Sequence, residues 1–148
     1  MQVSRTLDYA VRSLIYMGNH EVPRMSMKEI SEAQHIPQNY LAKIMRRMVE
    51  RGLIRSMVGP EGGYFLRRDP KDINLREIYE AVEGELRVID CMDQDEVCAL
   101  YENCTQLPVW DKLQVSMIKL LEKTSLEDLL TGSGENTELL KGEEAQTQ

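Results

Sequence analysis

The sequence predicts a mainly α-helical fold with a small β-hairpin wing: a winged helix-turn-helix followed by a long dimerisation helix. Three observations predict it. Two amphipathic segments, 27–34 and 38–51, are separated only by the break His35-Ile36-Pro37. Directly after the second come two short apolar-rich runs around the turn Gly59-Pro60-Glu61-Gly62-Gly63. Further on, a wide apolar stripe recurs at helical spacing over 106–123.

The elements follow in chain order. Residues 4–19 place Leu7, Val11, Leu14, Ile15 and Gly18 at helical spacing, and Asp8 falls in the first turn, where a negative charge suits the helix dipole. Ser26-Met27-Lys28-Glu29 has capping-box spacing and opens the second helix. The residue before Pro37 avoids helical geometry, so the second helix stops, and Pro37 opens the third. Leu41, Ile44, Met45 and Met48 form its buried face, and Gly52 suits its C-terminal turn. Leu53–Val58 and Tyr64–Arg68 read as the two strands of the wing. Asp69–Asp72 is a linker, Asn74 and Glu77 cap a helix over 75–83, and Ser125 and Asp128 cap a last helix ending near Gly132. Residues 133–148 are polar and read as a disordered acidic tail.

Charge points to the partner. The chain carries −7 overall. Residues 1–68 hold 11 Lys+Arg against 6 Asp+Glu, a net of +5, while residues 69–148 hold 7 against 19, a net of −12. Binding follows the local field, so the basic half is the candidate for double-stranded DNA. The third helix displays Gln38, Asn39, Tyr40, Lys43, Arg46 and Arg47, whose amides and cations match base edges and phosphates. In the wing, Arg55, Arg67 and Arg68 are placed to touch phosphate, and Gly62 and Gly63 allow close backbone approach. The helix over 106–123 shows Val109, Trp110, Leu113, Met117, Leu120 and Leu121, a stripe too wide for the remaining small core to cover, so we expect a homodimer on a palindromic operator.

The three cysteines lie in one acidic window, Cys91-x6-Cys98-x5-Cys104. An odd count argues against a closed set of disulfides. The spacing alone leaves an iron–sulfur cluster, zinc, redox-active thiols and no role all open. Enzyme chemistry is not expected: the histidines are His20 and His35, far in sequence from the cysteines, and no nucleophile–base pair is apparent. No apolar run approaches the ~18 residues that would span a membrane, and the N-terminus lacks a signal-peptide core, so a cytoplasmic protein is expected.

Residues 1–12, the Tyr40-Leu41 region, the wing Gly59–Tyr64 and the cysteine window together resemble the Rrf2 family of winged-helix transcription regulators, which includes iron–sulfur regulators of the IscR, NsrR and RirA kinds. The resemblance covers about residues 1–132. It implies a homodimer whose long helices pair, with Cys91, Cys98 and Cys104 holding an iron–sulfur cluster near the partner's DNA-binding domain. IscR-like members place a ligating histidine three residues beyond the last cysteine, where this chain has Leu107, and a motif-selecting glutamate in the recognition helix, where it has Ala42. NsrR-like members complete a 4Fe–4S site with a first-helix aspartate from the other subunit, and Asp8 matches. The resemblance therefore favours 4Fe–4S over 2Fe–2S. The expected division is 1–68 for DNA binding, 69–132 for the cluster loop and dimerisation helix, and 133–148 for the tail. The implied function is a regulator sensing iron, redox state or nitric oxide. The alternatives are a cluster-free regulator using thiols or a small ligand, and a winged helix used as a protein-interaction module.

Overall fold

The computed structural model describes residues 2–20, 24–89, 91 and 98–132; the expected tail, 133–148, lies outside the described residues. Six α-helices and one hairpin follow in the order α1 (Arg5–Asn19), α2 (Met27–Gln34), α3 (Gln38–Glu50), β1 (Ile54–Met57), β2 (Gly63–Leu66), α4 (Leu75–Glu83), α5 (Leu107–Lys123) and α6 (Leu126–Thr131). The expected linker Asp69–Asp72 is instead a turn of 3-10 helix over Pro70–Asp72, capped by the Asp69 side chain, which accepts from the Lys71 amide at 3.2 Å.

Local chemistry sets the helix starts. Ser26 accepts from the Glu29 amide at 3.2 Å while the Glu29 carboxylate accepts from the Ser26 amide at 2.6 Å, a closed capping box. Asn74 with Glu77 and Ser125 with Asp128 repeat it at α4 and α6. The turn between α2 and α3 rests on His35, which adopts the left-handed conformation at φ 52°. There the Ile36 amide reaches the Ser31 carbonyl at 3.0 Å, and Ile36 drops into the core.

One core collects Leu14, Ile30, Ile36, Leu41, Ile44, Met45, Met48, Leu53, Ile54, Ile73, Ile78 and Leu126. The four apolar positions expected to face inward from α3 are all buried. On α1 the fully buried face is Ala10, Ser13, Leu14 and Met17, so the expected stripe is rotated: Leu7, Val11 and Ile15 are only partly covered. The reason is that α1 lies centrally, touching α2, α3, α4 and α6, so it is covered on more than one side. A methyl group on Gly18 would stand 2.8 Å from Leu130, which brings α6 close against α1.

The hairpin pairs Ile54 with Leu66, Arg55 with Phe65, Ser56 with Tyr64 and Met57 with Gly63. Met25 adds a third edge by exchanging both backbone hydrogen bonds with Tyr64, at 3.1 and 2.8 Å. A second small bridge joins the starts of α4 and α6: the Leu75 amide donates to the Thr124 carbonyl at 2.8 Å and the Leu126 amide to the Ile73 carbonyl at 2.7 Å. No described helix is long and apolar enough to cross a membrane.

Candidate nucleic-acid interface and cysteine segment

Helix α3 turns its apolar face inward and leaves Gln38, Asn39, Tyr40, Lys43, Arg46 and Arg47 exposed. Arg46 pairs with Glu50 at 3.0 Å, and both side chains remain mostly in solvent, at 81% and 59% exposure. Such a surface pair contributes about 0–1 kcal/mol and yields easily to a phosphate. Arg47 differs from its neighbour: Nη1 donates to the Val82 carbonyl at 2.7 Å, which ties the recognition helix to the C-terminal end of α4.

In the wing, Arg55 lies over the ring of its cross-strand partner Phe65, 5.1 Å from the centroid. Arg67 is exposed. Arg68, expected to touch phosphate, is half-buried, its side chain 37% exposed. It pairs with Glu77 at 2.9 Å and donates to the Asp72 carbonyl at 3.0 Å, which commits its guanidinium within the fold. Gly62 and Gly63 have a structural cause beyond DNA approach. A Cβ at Gly62 would meet the Met57 carbonyl oxygen at 2.3 Å; one at Gly63, where φ is 147°, would meet that of Met25 at 2.9 Å.

A pattern invisible in the sequence emerges from the ion pairs. Arg12, Arg24, Lys28, Arg46, Arg68, Lys71, Arg76 and Arg87 all have carboxylate partners. Among the described residues, Arg5, Lys43, Arg47, Arg51, Arg55, Arg67, Lys112 and Lys119 have none. Arg5 opens α1 and Lys112 and Lys119 lie on α5; the other five lie on α3, at its end, or in the wing. Unneutralised cations gathered there suit a polyanion. Sequence reasoning passed over Arg51, Arg5 and Thr6, whose hydroxyl lies 2.7 Å from that of Tyr40.

The three thiols are free: Cys98 is exposed, and Cys91 and Cys104 are half-buried. Residues 92–97, with the acidic side chains between Cys91 and Cys98, lie outside the described residues. Cys104 closes a 3-10 turn over Tyr101–Asn103, just before α5. Leu107 begins α5 and supplies no donor. Among the described residues no three potential ligands gather at metal-binding distance. The donor chemistry nonetheless fits a soft iron–sulfur centre, since three uncommitted thiols sit on one short stretch. Asp8 is exposed on α1 and pairs with Arg12 at 3.2 Å; Arg12 also donates to the Gln34 carbonyl at 3.2 Å and covers the Tyr9 ring at 5.0 Å.

Comparison with known proteins agrees with this architecture. A family model described as Rrf2, iron-dependent transcriptional regulator, matches residues 3–132. The chain is 28% identical over 146 residues to the transcriptional regulator NsrR of Bacillus subtilis (strain 168), covering 97% of this chain and all of that protein. The structure of T. potens IscR superposes with a TM-score of 0.72 at 27% identity, covering 92% of this chain and 90% of that one. The structure of CymR, the global cysteine regulator of B. subtilis, shares the fold with a TM-score of 0.73 at 22% identity, covering 90% and 98%. With a winged helix-turn-helix, unpaired cations on its reading face and a family match along nearly its whole length, the chain belongs to the Rrf2 family of DNA-binding transcription regulators.

Proposed function

We propose that the protein is a cytoplasmic homodimer that binds a palindromic operator and senses iron, redox state or nitric oxide through a cluster held by Cys91, Cys98 and Cys104, with Asp8 of the partner subunit as fourth ligand. The 4Fe–4S form is favoured, because Leu107 offers no imidazole. The cluster, when bound, supplies a redox-active and chemically labile centre. The protein's own residues turn its state into DNA affinity.

The observation that carries this reading is the continuity between the cysteine segment and the recognition helix. Arg47 of α3 holds the Val82 carbonyl at 2.7 Å. The chain leaves α4 at Gly84, is pinned to α5 where the Val88 amide donates to Gln114 at 3.0 Å, and reaches Cys91 three residues later. A change in ligation at Cys91 would act on a segment joined by one hydrogen bond to the helix that faces DNA. Two arrangements of that segment with different DNA affinities are what such a switch requires.

Anaerobic purification, an absorption spectrum and counts of iron and sulfide test the proposal. We expect a brown protein with cluster absorption, lost in each of Cys91→Ala, Cys98→Ala and Cys104→Ala. Iron and sulfide retained in all three would sink the cluster. A second reading is favoured by the free thiols and the exposure of Cys98: a cluster-free sensor that responds by thiol oxidation. That reading predicts a colourless protein whose DNA affinity shifts with mild oxidant and returns with reductant.

A further inference from the structure

Between the N-terminus of α1 and the flank of α3 lies a recess of about 110 Å³, lined by Thr6, Tyr40, Lys43, Ile44 and Arg47. Its apolar lining is the buried Ile44. Its other four residues bring two hydroxyls, 2.7 Å apart, and two cations. No carboxylate lines it, and neither Lys43 nor Arg47 has a carboxylate partner among the described residues. Arg47 uses Nη1 on the Val82 carbonyl, and a guanidinium carries five N–H donors in all. The Tyr40 ring packs edge-on against Tyr9, with centroids 5.5 Å apart, so its hydroxyl is held in place. Thr6 belongs to the first turn of the 15-residue α1, whose leading amides point out of the helix end and favour negative charge.

We propose that this recess seats one backbone phosphate of the bound duplex, gripped by Thr6 and Tyr40 through their hydroxyls and by Lys43 and Arg47 through their charges. The inference rests on α3 facing DNA and adds a second element, α1, to the interface. It also assigns roles. Base readout needs planar amides or guanidinia projecting into a groove, whereas a recess with hydroxyls on one side and cations on the other suits a tetrahedral oxyanion. Tyr40 and Lys43 are therefore positioning residues, and reading falls to Gln38, Asn39 and Arg46. The same chemistry would accept free phosphate from solution, so the source must be separated by experiment.

The full-length protein is titrated with duplexes of several unrelated sequences over a range of salt. Lys43→Gln should flatten the slope of log affinity against log salt by about one. Thr6→Val and Tyr40→Phe should each weaken binding about five-fold, the loss of one neutral hydrogen bond, with the slope unchanged and the same factor on every duplex. Melting curves matching the wild type would confirm that these conservative variants fold. Wild-type affinity in both hydroxyl variants overturns the seat, as does a loss confined to one base position, which would mark a base contact. In a second arm, inorganic phosphate alone is titrated while the amide signals of Thr6 and Tyr40 are followed. Shifts that duplex DNA reverses support the seat. Shifts that persist in the DNA complex overturn it, because the ion then comes from solution. Arg55→Gln and Arg67→Gln serve as wing controls. If they flatten the salt slope and Lys43→Gln does not, the seat fails while DNA binding stands; if the wild type shows no salt-dependent affinity for any duplex, DNA binding itself fails.

Discussion

Arg67 and Arg68 are adjacent in the chain and do different work. Arg67 follows the returning strand and has no carboxylate partner, while Arg68 turns back to Glu77 and the Asp72 carbonyl. Arg67→Ala should leave the melting temperature near wild type and reduce the salt slope of DNA binding by about one. Arg68→Ala should do the reverse, lowering stability by about 1 kcal/mol with the slope intact; the two outcomes exchanged would misplace both side chains. The residue scale also carries a pH dependence. The Glu29 carboxyl is held below its ordinary range, first by the Ser26 amide, then by the Ser26 side chain, with Arg24 assisting. A depressed carboxyl contributes its stability above the ordinary glutamate value of about 4.3 and loses it as pH falls through its lower folded value. Ser26→Ala should cost about 1 kcal/mol at neutral pH, a melting shift of roughly 2–4 °C. For Glu29→Ala, the gap from wild type should narrow when the melts are repeated near pH 3. An unchanged gap would mean that the box is not what Glu29 contributes.

At the scale of elements, α5 stands apart from the rest. None of its residues is buried, and Val109, Val115 and Leu120 are 63%, 41% and 45% exposed. Beneath it, between α5 and the start of α1, an open cavity of about 280 Å³ is lined by Val3, Leu7, Leu86, Val88, Met117 and Leu121 among others. A helix this apolar and this poorly covered calls for a partner. The double substitution Leu113→Glu, Leu120→Glu should therefore give monomer in sedimentation and weaken palindromic DNA binding. A wild type already monomeric at micromolar concentration would remove the idea. The elements themselves were legible in advance because their signals are local. Capping boxes at Ser26, Asn74 and Ser125 and the apolar spacing of α3 depend on residues a few places apart. The αL turn at His35 was not legible, since nothing in a histidine announces positive φ. The pairing of Arg68 with Glu77 and the bond from Arg47 to Val82 depend on residues 9 and 35 positions away, which no local pattern reports. The buried face of α1 escaped for the same reason: it is set by which helices surround it. The cysteine spacing showed that something soft could bind there, and only the resemblance narrowed what.

On the scale of the whole molecule, the last described helix completes the first. Leu126 is fully buried in the core, Leu130 packs at Gly18, and the bridge between the starts of α4 and α6 closes the ring. The winged helix-turn-helix half is thus finished by residues that follow the cysteine segment and α5 in sequence. This orders events during synthesis. A ribosome that has released α1 to α4 has not yet released Leu126, so the nascent reader lacks part of its core until the cysteine segment and α5 have been made. A chain cut short within the cysteine segment or α5 would then lack a stable winged helix-turn-helix. A version ending at Lys123 should lose its cooperative melt and its protection from protease, whereas one ending at Gly132 should keep both. If the shorter version melts like the longer, α6 is dispensable to the fold, and the core is complete before it is made.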